Sequence, residues 1–342
     1  MPTDASSTGR SKVAAPPAAE AGARTKGGRV PRVLARWRWI SLIAFSLQLL
    51  ITALTMGLRS EHLLMAAIFI GLAWLPSRIG MLSWRALPLG LAGLAYDYSR
   101  FLTPLRGRIH VADLYHAELR WFGIETLGGR LTLPEYFARH TVVLLDLICG
   151  LAYMTYIFEL VLLALYFGIK EPRRMARLGW GFFVIGVLGI ATYLLYPAAP
   201  PWYVMRYGLG PAQLSAPPSA AGTARFDALL GISYFRGFYA RNPNVFGAMP
   251  SLHVGYPMLC FFAVRDKGRG WAISTLLFAL LVAFSALYLQ HHYVLDVLVG
   301  AGYAWLADAL VAAIMRRGAA RAPRPAPAPA TAPSAPEAPP RS

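Results

Sequence analysis

The sequence has few of the residues that build disulfide frameworks or metal sites. Cysteine occurs only twice in 342 residues. Cys149 and Cys260 both lie inside apolar runs, which predicts two inert thiols in the core and argues against a disulfide. Acidic residues number 16 against 33 basic ones, and they form no carboxylate cluster suited to a metal ion. We therefore expect neither a metal nor a cofactor.

The excess of basic residues is not spread in the way that nucleic-acid binding would require. The formal net charge is +17, but the basic residues cluster in the tails and between apolar runs. That distribution is typical of charges that orient membrane spans. With 56% hydrophobic residues the chain is also too apolar for an ordinary soluble domain. We expect a membrane protein with lipids, not nucleic acid, as partners.

The two ends of the chain lack long apolar runs. Residues 1–38 are rich in Ala, Gly, Pro and basic residues and contain no apolar segment of the kind found in cleaved signal peptides. Residues 318–342 are rich in Ala and Pro. Both segments are predicted to be disordered tails, the first of them basic and cytoplasmic.

Long apolar runs fill the rest of the chain and predict an all-α polytopic transmembrane helix bundle with about eight spans. A span needs roughly 20 mostly apolar residues. The third run is short, contains Pro88 and ends in "YDYSR", so a re-entrant segment is the alternative there. The predicted spans are 39–58, 62–82, 86–102, 141–168, 175–197, 249–265, 270–290 and 293–315.

Basic residues then orient the bundle. With eight spans, the basic N-terminal tail, the connections at 169–174 and 265–269, and Arg316-Arg317 all fall on one face, which we assign to the cytoplasm. The opposite, outer face receives the long connections and, on or near it, all seven histidines. The organisation predicted is N-terminal transmembrane segments at 39–102, an outer-face loop at 103–140 and a catalytic transmembrane core at 141–317, with the catalytic layer at the outer-face ends of the last four spans.

The last span begins with "HHYVLDV", and its ionisable side chains are energetically costly to place in a membrane. Residues four apart share a helix face, so Asp296 is predicted to accept the ring N–H of His292. A carboxylate in that position fixes the imidazole tautomer and leaves the other nitrogen free, as beside a catalytic histidine. His291 has Leu295 four residues on, which cannot orient it.

A second motif, "PSLH", opens the sixth predicted span. Pro250 suits the first turn of a helix, where free backbone N–H groups favour an anion such as phosphate. His253 follows within that turn. Two such motifs at span ends on one face predict a catalytic centre formed by His253, His292 and Asp296.

Together "PSLH" and Ser285-x6-His292-x3-Asp296 resemble the second and third signature motifs of the type 2 phosphatidic acid phosphatase superfamily. "GAMPSLH", "YPAAPPWY" and "YDYSR" resemble the branch of fungal inositol phosphorylceramide synthases and their bacterial relatives, and the likeness covers roughly 85–310. The resemblance implies that His292 forms a phosphohistidine, that Asp296 orients it and that His253 protonates the leaving oxygen.

The chain departs from the wider superfamily in its phosphate-binding residues. The usual first motif, a Lys with a later Arg-Pro, is missing, and Ala286 stands where an Arg normally follows the serine. Other groups must then compensate the negative charge of the phosphate. The candidates for substrate or phosphate binding are Ser251, Ser285, Tyr293, Arg100, Arg206 and Arg241. Two acids inside a span lie too far apart for one site: we expect Asp146 to support the catalytic layer and Glu159 to pair within the bundle.

These patterns favour an integral-membrane lipid phosphotransferase that moves a phospho-headgroup, phosphoinositol by resemblance, to a lipid alcohol through a phosphohistidine. The first alternative is a lipid phosphate or polyprenyl pyrophosphate phosphatase with the same site and water as acceptor. An alternative of another class is a non-catalytic transporter or structural protein, although the sequence has no paired broken helices. The basic tail fits a bacterial inner membrane, with both termini cytoplasmic and the active site outside.

Overall fold

Long apolar helices dominate the computed structural model, which describes residues 32–242 and 244–321. The helices are α1 (Arg32–Thr55), α2 (Ser60–Trp74), α3 (Ser77–Tyr98), α4 (Ala112–Phe122), α5 (Leu133–Arg139), α6 (Val143–Lys170), α7 (Pro172–Leu195), α8 (Pro201–Tyr207), α9 (Thr223–Leu230), α10 (Tyr234–Tyr239), α11 (Leu252–Val264), α12 (Arg269–Tyr288) and α13 (Val294–Arg321). A 3₁₀ helix (Ser99–Leu105) and a hairpin of β1 (Ile124–Thr126) and β2 (Gly129–Leu131) complete the elements.

Eight of these helices correspond to the eight predicted spans: α1, α2, α3, α6, α7, α11, α12 and α13. By length and composition, five of them (α1, α6, α7, α12 and α13) are able to cross a membrane, and α2 and α11 are shorter apolar helices. The prediction of an all-α polytopic bundle is confirmed, and the chain is an integral membrane protein.

Helix boundaries differ from the prediction in the N-terminal part. The predicted second span, 62–82, is divided between α2 and α3, because Pro76 cannot continue the helix that ends at Trp74. Helix α3 then runs through Pro88 to Tyr98, so the third segment is one continuous helix, although α3 is not among the five helices long and apolar enough to cross a membrane.

The predicted tails are shorter than expected where the structure describes them. Residues 32–38 are already helical in α1, and 318–321 belong to α13. The remainder of both predicted tails, 1–31 and 322–342, lies outside the described residues.

Helix α11 lies at the centre of the bundle, in contact with α6, α7, α12 and α13. Small residues on its neighbours make this possible. A Cβ on Gly189 of α7 would lie 3.0 Å from a methyl group of Leu252, and one on Gly300 of α13 would overlap the carbonyl oxygen of Ser251. Close approach at small residues is the usual way in which membrane helices pack without a hydrophobic driving force. The packing fixes the start of α11 against α13.

Both long connections are ordered where they are described, and they are joined to each other. Residues 106–142 contain α4, the hairpin and α5, and residues 196–251 contain α8, α9 and α10. Ala198 forms parallel bridges to both His110 and Gly247, which ties the two connections together. They meet at the end of the bundle where α11 and α13 begin.

Candidate active site

The two histidine motifs meet at this end of the bundle. His253 lies in the first turn of α11, and His292 lies in the turn between α12 and α13. His253 Nδ1 is 3.0 Å from His292 Nε2. His292 is almost fully buried, with 4% of its surface exposed. Two segments 39 residues apart thus form one histidine pair, as the sequence predicts. Pro250 lies two residues before the start of α11 and not in its first turn as predicted.

The tautomer of His292 is fixed by a backbone group. Its Nδ1 lies 2.9 Å from the carbonyl oxygen of Ala248 and 3.6 Å from Asp296 Oδ2. Because a carbonyl oxygen only accepts hydrogen bonds, Nδ1 carries the proton and Nε2 has an unprotonated lone pair that can accept a hydrogen bond. His253 Nδ1 therefore donates to His292 Nε2.

The predicted hydrogen bond from His292 to Asp296 is replaced by the bond to Ala248. His292 precedes the first residue of α13, so the helical i, i+4 geometry does not hold for this pair. Asp296 is fully buried, and its Oδ2 accepts the backbone N–H of Tyr293 at 2.8 Å instead. Its carboxylate nevertheless lies next to the His292 ring, with Oδ2 3.6 Å from His292 Nδ1.

A second buried carboxylate holds the start of α13. Glu118 of α4 is fully buried, and it accepts the backbone N–H groups of Val294 at 2.9 Å and Leu295 at 3.2 Å. Burial raises the pKa of Glu118 to about 7 against the opposing effect of these two donors. Sequence reasoning missed this residue. The available signal was its position four residues after Leu114, on the buried face of α4.

The turn that carries His292 is also supported by α9. Arg225 Nε lies 2.7 Å from Asp146 Oδ1, and Arg225 Nη1 lies 3.2 Å from the side-chain oxygen of Gln290. Gln290 adopts a positive φ of 60°, a strained conformation for a residue other than glycine. Asp146 thus supports the catalytic layer, as expected, through an arginine that sequence reasoning missed. The expectation for Glu159 was wrong: within the described part of the chain its Oε2 has no hydrogen-bond partner.

Tyrosines surround the histidine pair. The Tyr153 ring stacks on His253 with centroids 4.5 Å apart, and Tyr239 stacks on His291 at the same distance. The Tyr239 hydroxyl lies 3.3 Å from His253 Nε2. His291 Nε2 lies 3.2 Å from the Ala220 carbonyl oxygen. These flat contacts hold the rings of His253 and His291 in fixed planes.

A cavity of about 500 Å³ opens onto the histidines. Its lining comes from α2, α3, α6, α7, α11, the second long connection and the turn before α13. Four of the seven histidines line it: His62, His253, His291 and His292. A cavity of this size with apolar walls and a few polar groups is typical of a site for a small ligand or a lipid headgroup.

Only some of the predicted substrate-binding residues lie at this cavity. Arg241 lines it and pairs with Glu61. Arg100 lies beside it, with its Nη2 2.8 Å from Asp97 Oδ1. Both guanidinium groups are therefore already paired with a carboxylate, which weakens them as phosphate ligands.

The other four predicted binding residues do not line the cavity. Arg206 is exposed and lies over the Tyr207 ring, 5.4 Å from its centroid. Ser285 is buried and donates within its own helix to the Leu281 carbonyl oxygen at 2.7 Å. Ser251 and Tyr293 are buried, and their hydroxyl groups have no hydrogen-bond partner among the described residues.

Known proteins resemble this chain over most of its length. A phosphoinositol dihydroceramide synthase of Bacteroides thetaiotaomicron is 39% identical over 274 residues, which is 78% of this chain and 88% of the relative. The inositol phosphorylceramide synthase of Candida albicans is 33% identical over 185 residues, 52% of this chain and 38% of the relative. The inositol phosphorylceramide synthase catalytic subunit of Saccharomyces cerevisiae is 29% identical over 184 residues, which is 52% of this chain and 45% of the relative.

No solved structure matches the chain. The family model of the PAP2 superfamily matches residues 127–310, which contain both histidine motifs and the helices that carry them. The relatives are synthases of this superfamily. The chain therefore belongs to the PAP2 superfamily and is a membrane-bound enzyme of its phosphotransferase type.

Proposed function

We propose that the protein transfers a phospho-headgroup from a phosphodiester lipid to a lipid alcohol through a phosphohistidine on His292. The observation that carries the proposal is the histidine pair itself. His292 Nε2 is unprotonated, because Nδ1 donates to the Ala248 carbonyl oxygen, and it faces His253 at 3.0 Å. A buried nucleophile with a general acid beside it, at the wall of a lipid-sized cavity, is suited to phosphoryl transfer.

In the first step His292 Nε2 gives up its hydrogen bond with His253 and attacks phosphorus. A nitrogen–phosphorus bond forms, and the bond from phosphorus to the diacylglycerol oxygen breaks. His253, entering as imidazolium, gives its proton to the departing oxygen. The charge that develops on the phosphoryl oxygens lies near the first amide groups of α11, which have no acceptor within their own helix. Asp296 stabilises the positive charge on the His292 ring.

In the second step the acceptor hydroxyl gives its proton to His253 and its oxygen attacks phosphorus. The nitrogen–phosphorus bond breaks, which returns His292 to its neutral form and His253 to imidazolium. Water in place of the alcohol would give hydrolysis. The burial of His292, only 4% exposed, favours a lipid alcohol that arrives from the membrane over water.

The names of the relatives support a choice of substrates. Their names give phosphoinositol as the group transferred and ceramide or dihydroceramide as the acceptor. We infer the same classes here: a phosphoinositol lipid as donor and a sphingoid lipid, or another lipid alcohol, as acceptor. Phosphatase action on a lipid phosphate, with the same histidines, is the second candidate.

We also infer that the site faces the outside of a bacterial inner membrane and that both termini are cytoplasmic. The support is the charge at the opposite end of the bundle. There, Arg174 Nη1 lies 2.6 Å from Asp266 Oδ1, and Lys267 pairs with Glu171. Arg177 Nη2 is 2.6 Å from Asp308 Oδ2. Basic residues concentrate on the cytoplasmic side of membrane proteins.

The experiment uses purified protein in mixed micelles with phosphatidylinositol labelled in its headgroup, with and without ceramide or diacylglycerol. We expect a new labelled lipid, made only with acceptor, and a loss of at least ~10²-fold in His292→Ala. Labelled inositol phosphate in the aqueous phase without a new lipid would establish hydrolysis instead. Turnover retained in His292→Ala would overturn the mechanism.

A further inference from the structure

One wall of the cavity carries polar residues that the mechanism above does not use. They are Arg59, Glu61, His62, Asp97 and Arg241, and we call them the outer polar cluster. The first four lie at the start of α2 and near the end of α3, outside the residues that the family model matches. All five line the same cavity as His253 and His292.

Asp97 is the centre of the outer polar cluster. The backbone N–H of Arg59 donates to His62 Nδ1 at 3.2 Å, so His62 Nε2 carries the proton and donates to Asp97 Oδ2 at 2.8 Å. The Asp97 Oδ1 atom accepts from Arg59 and, at 2.8 Å, from Arg100 Nη2. His62 is buried, whereas the Asp97 and Arg59 side chains stay 18% and 28% exposed. Both side chains therefore stay partly accessible, and both residues line the cavity.

Each charged group of the outer polar cluster has a partner of opposite charge. Arg59 pairs with Asp97 and Arg241 pairs with Glu61, while Arg100, which does not line the cavity, also pairs with Asp97. A phosphate site needs positive charge that is not already compensated. Sugar-like hydroxyl groups instead need hydrogen-bond acceptors and donors side by side, since each hydroxyl donates one hydrogen bond and accepts others. Alternating carboxylate and guanidinium groups satisfy both, and the amide side chains of Asn242 and Asn244 line the same cavity.

The occupant must also fit beside the reacting phosphorus. In a phosphoinositol lipid the ring is joined to phosphorus through a single ester oxygen, so ring and phosphorus enter one cavity together. A sphingoid acceptor presents few hydroxyl groups and long apolar chains, which a charged wall would not accommodate. The polar wall thus suits the headgroup of the donor better than the acceptor.

We propose that the outer polar cluster binds the hydroxyl groups of a cyclic polyol headgroup while the donor phosphorus lies at His292. This inference rests on the proposed function. It gives α2 and α3 a role in the choice of donor, separate from the chemical step at α11 and α13. The competing explanation is an ion-pair network that only joins α2 to α3.

The kinetic test compares Asp97→Asn with Asp113→Asn. Asp113 is a matched control, because it also pairs with a histidine, His110, yet it does not line the catalytic cavity. We expect Asp97→Asn to raise the donor KM about tenfold or more through loss of charge-assisted hydrogen bonds, with kcat and the acceptor KM changed less than about threefold. Asp113→Asn should leave both KM values unchanged. A donor KM that is unchanged in Asp97→Asn would overturn the proposal.

A binding test keeps the proposal separate from the proposed function. The probe is glycerophosphoinositol, titrated by calorimetry into His292→Ala protein, with glycerol 3-phosphate as the control without a ring. We expect the ring compound alone to bind, and its affinity to fall about tenfold in the His292→Ala/Asp97→Asn protein. Equal affinity for both probes, or no effect of Asp97→Asn, would overturn the proposal whether or not the wild-type protein makes a labelled lipid.

A third variant covers the case in which Asp97→Asn fails to fold. The pair of Arg241 and Glu61 is half exposed, so Arg241→Gln should leave the unfolding temperature within about 2 °C of wild type. It should still raise the donor KM severalfold. A lowered unfolding temperature in Asp97→Asn, with the donor KM unchanged in both variants, would establish a purely structural network.

Discussion

At the residue scale, the start of α13 depends on two buried carboxylates that divide its first amide groups between them. Asp296 accepts from Tyr293, and Glu118 accepts from Val294 and Leu295. These are the N–H groups that a helix cannot satisfy internally, and a carboxylate there also complements the helix dipole. His292 immediately precedes this turn, so its position follows from the capping of α13.

Glu118 should make the stability of the protein depend on pH. Burial raises its pKa from 4.5 to about 7 in the folded protein, so the folded state binds this proton more tightly than the unfolded state does. The contribution of Glu118 to stability is therefore largest below about pH 4.5 and is lost as the pH rises through about 7. In Glu118→Gln this loss disappears. We expect the unfolding temperature of wild type, relative to Glu118→Gln, to fall by about 3 °C or more between about pH 5 and about pH 8.

The control for this measurement is Glu125→Gln. Glu125 lies in the adjacent hairpin, with its side chain 76% exposed and paired with Arg130. The difference between its unfolding temperature and that of wild type should not vary with pH. If Glu118→Gln kept the pH dependence of wild type, Glu118 would not be the titrating group.

Residue-scale prediction from the sequence succeeded where motif spacing carries the information and failed where contacts are distant. The pairing of His253 with His292 follows from two motifs placed at span ends on one face. The contact of His292 with Ala248 involves a backbone carbonyl 44 residues away, which leaves no trace in side-chain identity. Glu118 accepts a hydrogen bond from Val294, 176 residues away in the chain. The one sequence signal for this contact was the position of Glu118 on the buried face of α4.

At the element scale, α11 and α13 must approach closely for the histidine pair to form. The backbone N–H of Ser251 donates to the carbonyl oxygen of Asp296 at 2.9 Å, and Gly300 lies against the Ser251 carbonyl group. Any side chain at Gly300 would push the first turn of α11, and with it His253, away from α13.

We expect Gly300→Ala to lower kcat by about 10- to 100-fold, because displacement of a catalytic group by a fraction of an ångström has effects of this size. It should also lower the free energy of unfolding by roughly 1–3 kcal/mol through overpacking. Gly302→Ala is the matched control on the same helix, since a Cβ there would have no neighbour within 4 Å. Transfer rates for the two variants that agree within about threefold would refute the close-approach argument.

Helices were easier to predict from the sequence than their ends. The apolar runs identify all eight helices of the bundle, although α2 and α11 are shorter than the roughly 20 residues that a span usually needs. The boundary at Pro76 was missed because apolar residues resume after Ser77 and Arg78, and Pro88 was read as a break although α3 continues through it. In a membrane helix neighbouring groups are able to satisfy the carbonyl that proline leaves free, so proline alone does not decide where a span ends.

At the scale of the whole molecule, the catalytic helices and the N-terminal helices enclose one cavity. The histidine pair lies in the part that the family model matches, and α2 and α3 add a wall from outside it. The sequence predicted that the two histidine motifs meet, but of the outer polar cluster it named Arg241 alone, because the members of the cluster are dispersed among segments about 40 to 140 residues apart. The two proposals together place the choice of donor and the chemical step in different parts of the chain.

The orientation of the whole bundle is open to a direct labelling test. Both native cysteines are buried, so a cysteine-reactive probe has little background. Leu127 is fully exposed in the hairpin at the end that carries the site, and Arg173 is exposed at the opposite end, after α6. In intact cells with a permeable outer envelope, we expect a membrane-impermeant maleimide to label Leu127→Cys at least about tenfold faster than Arg173→Cys. After disruption of the inner membrane both should be labelled equally, and faster labelling of Arg173→Cys in intact cells would place the histidine pair on the cytoplasmic side.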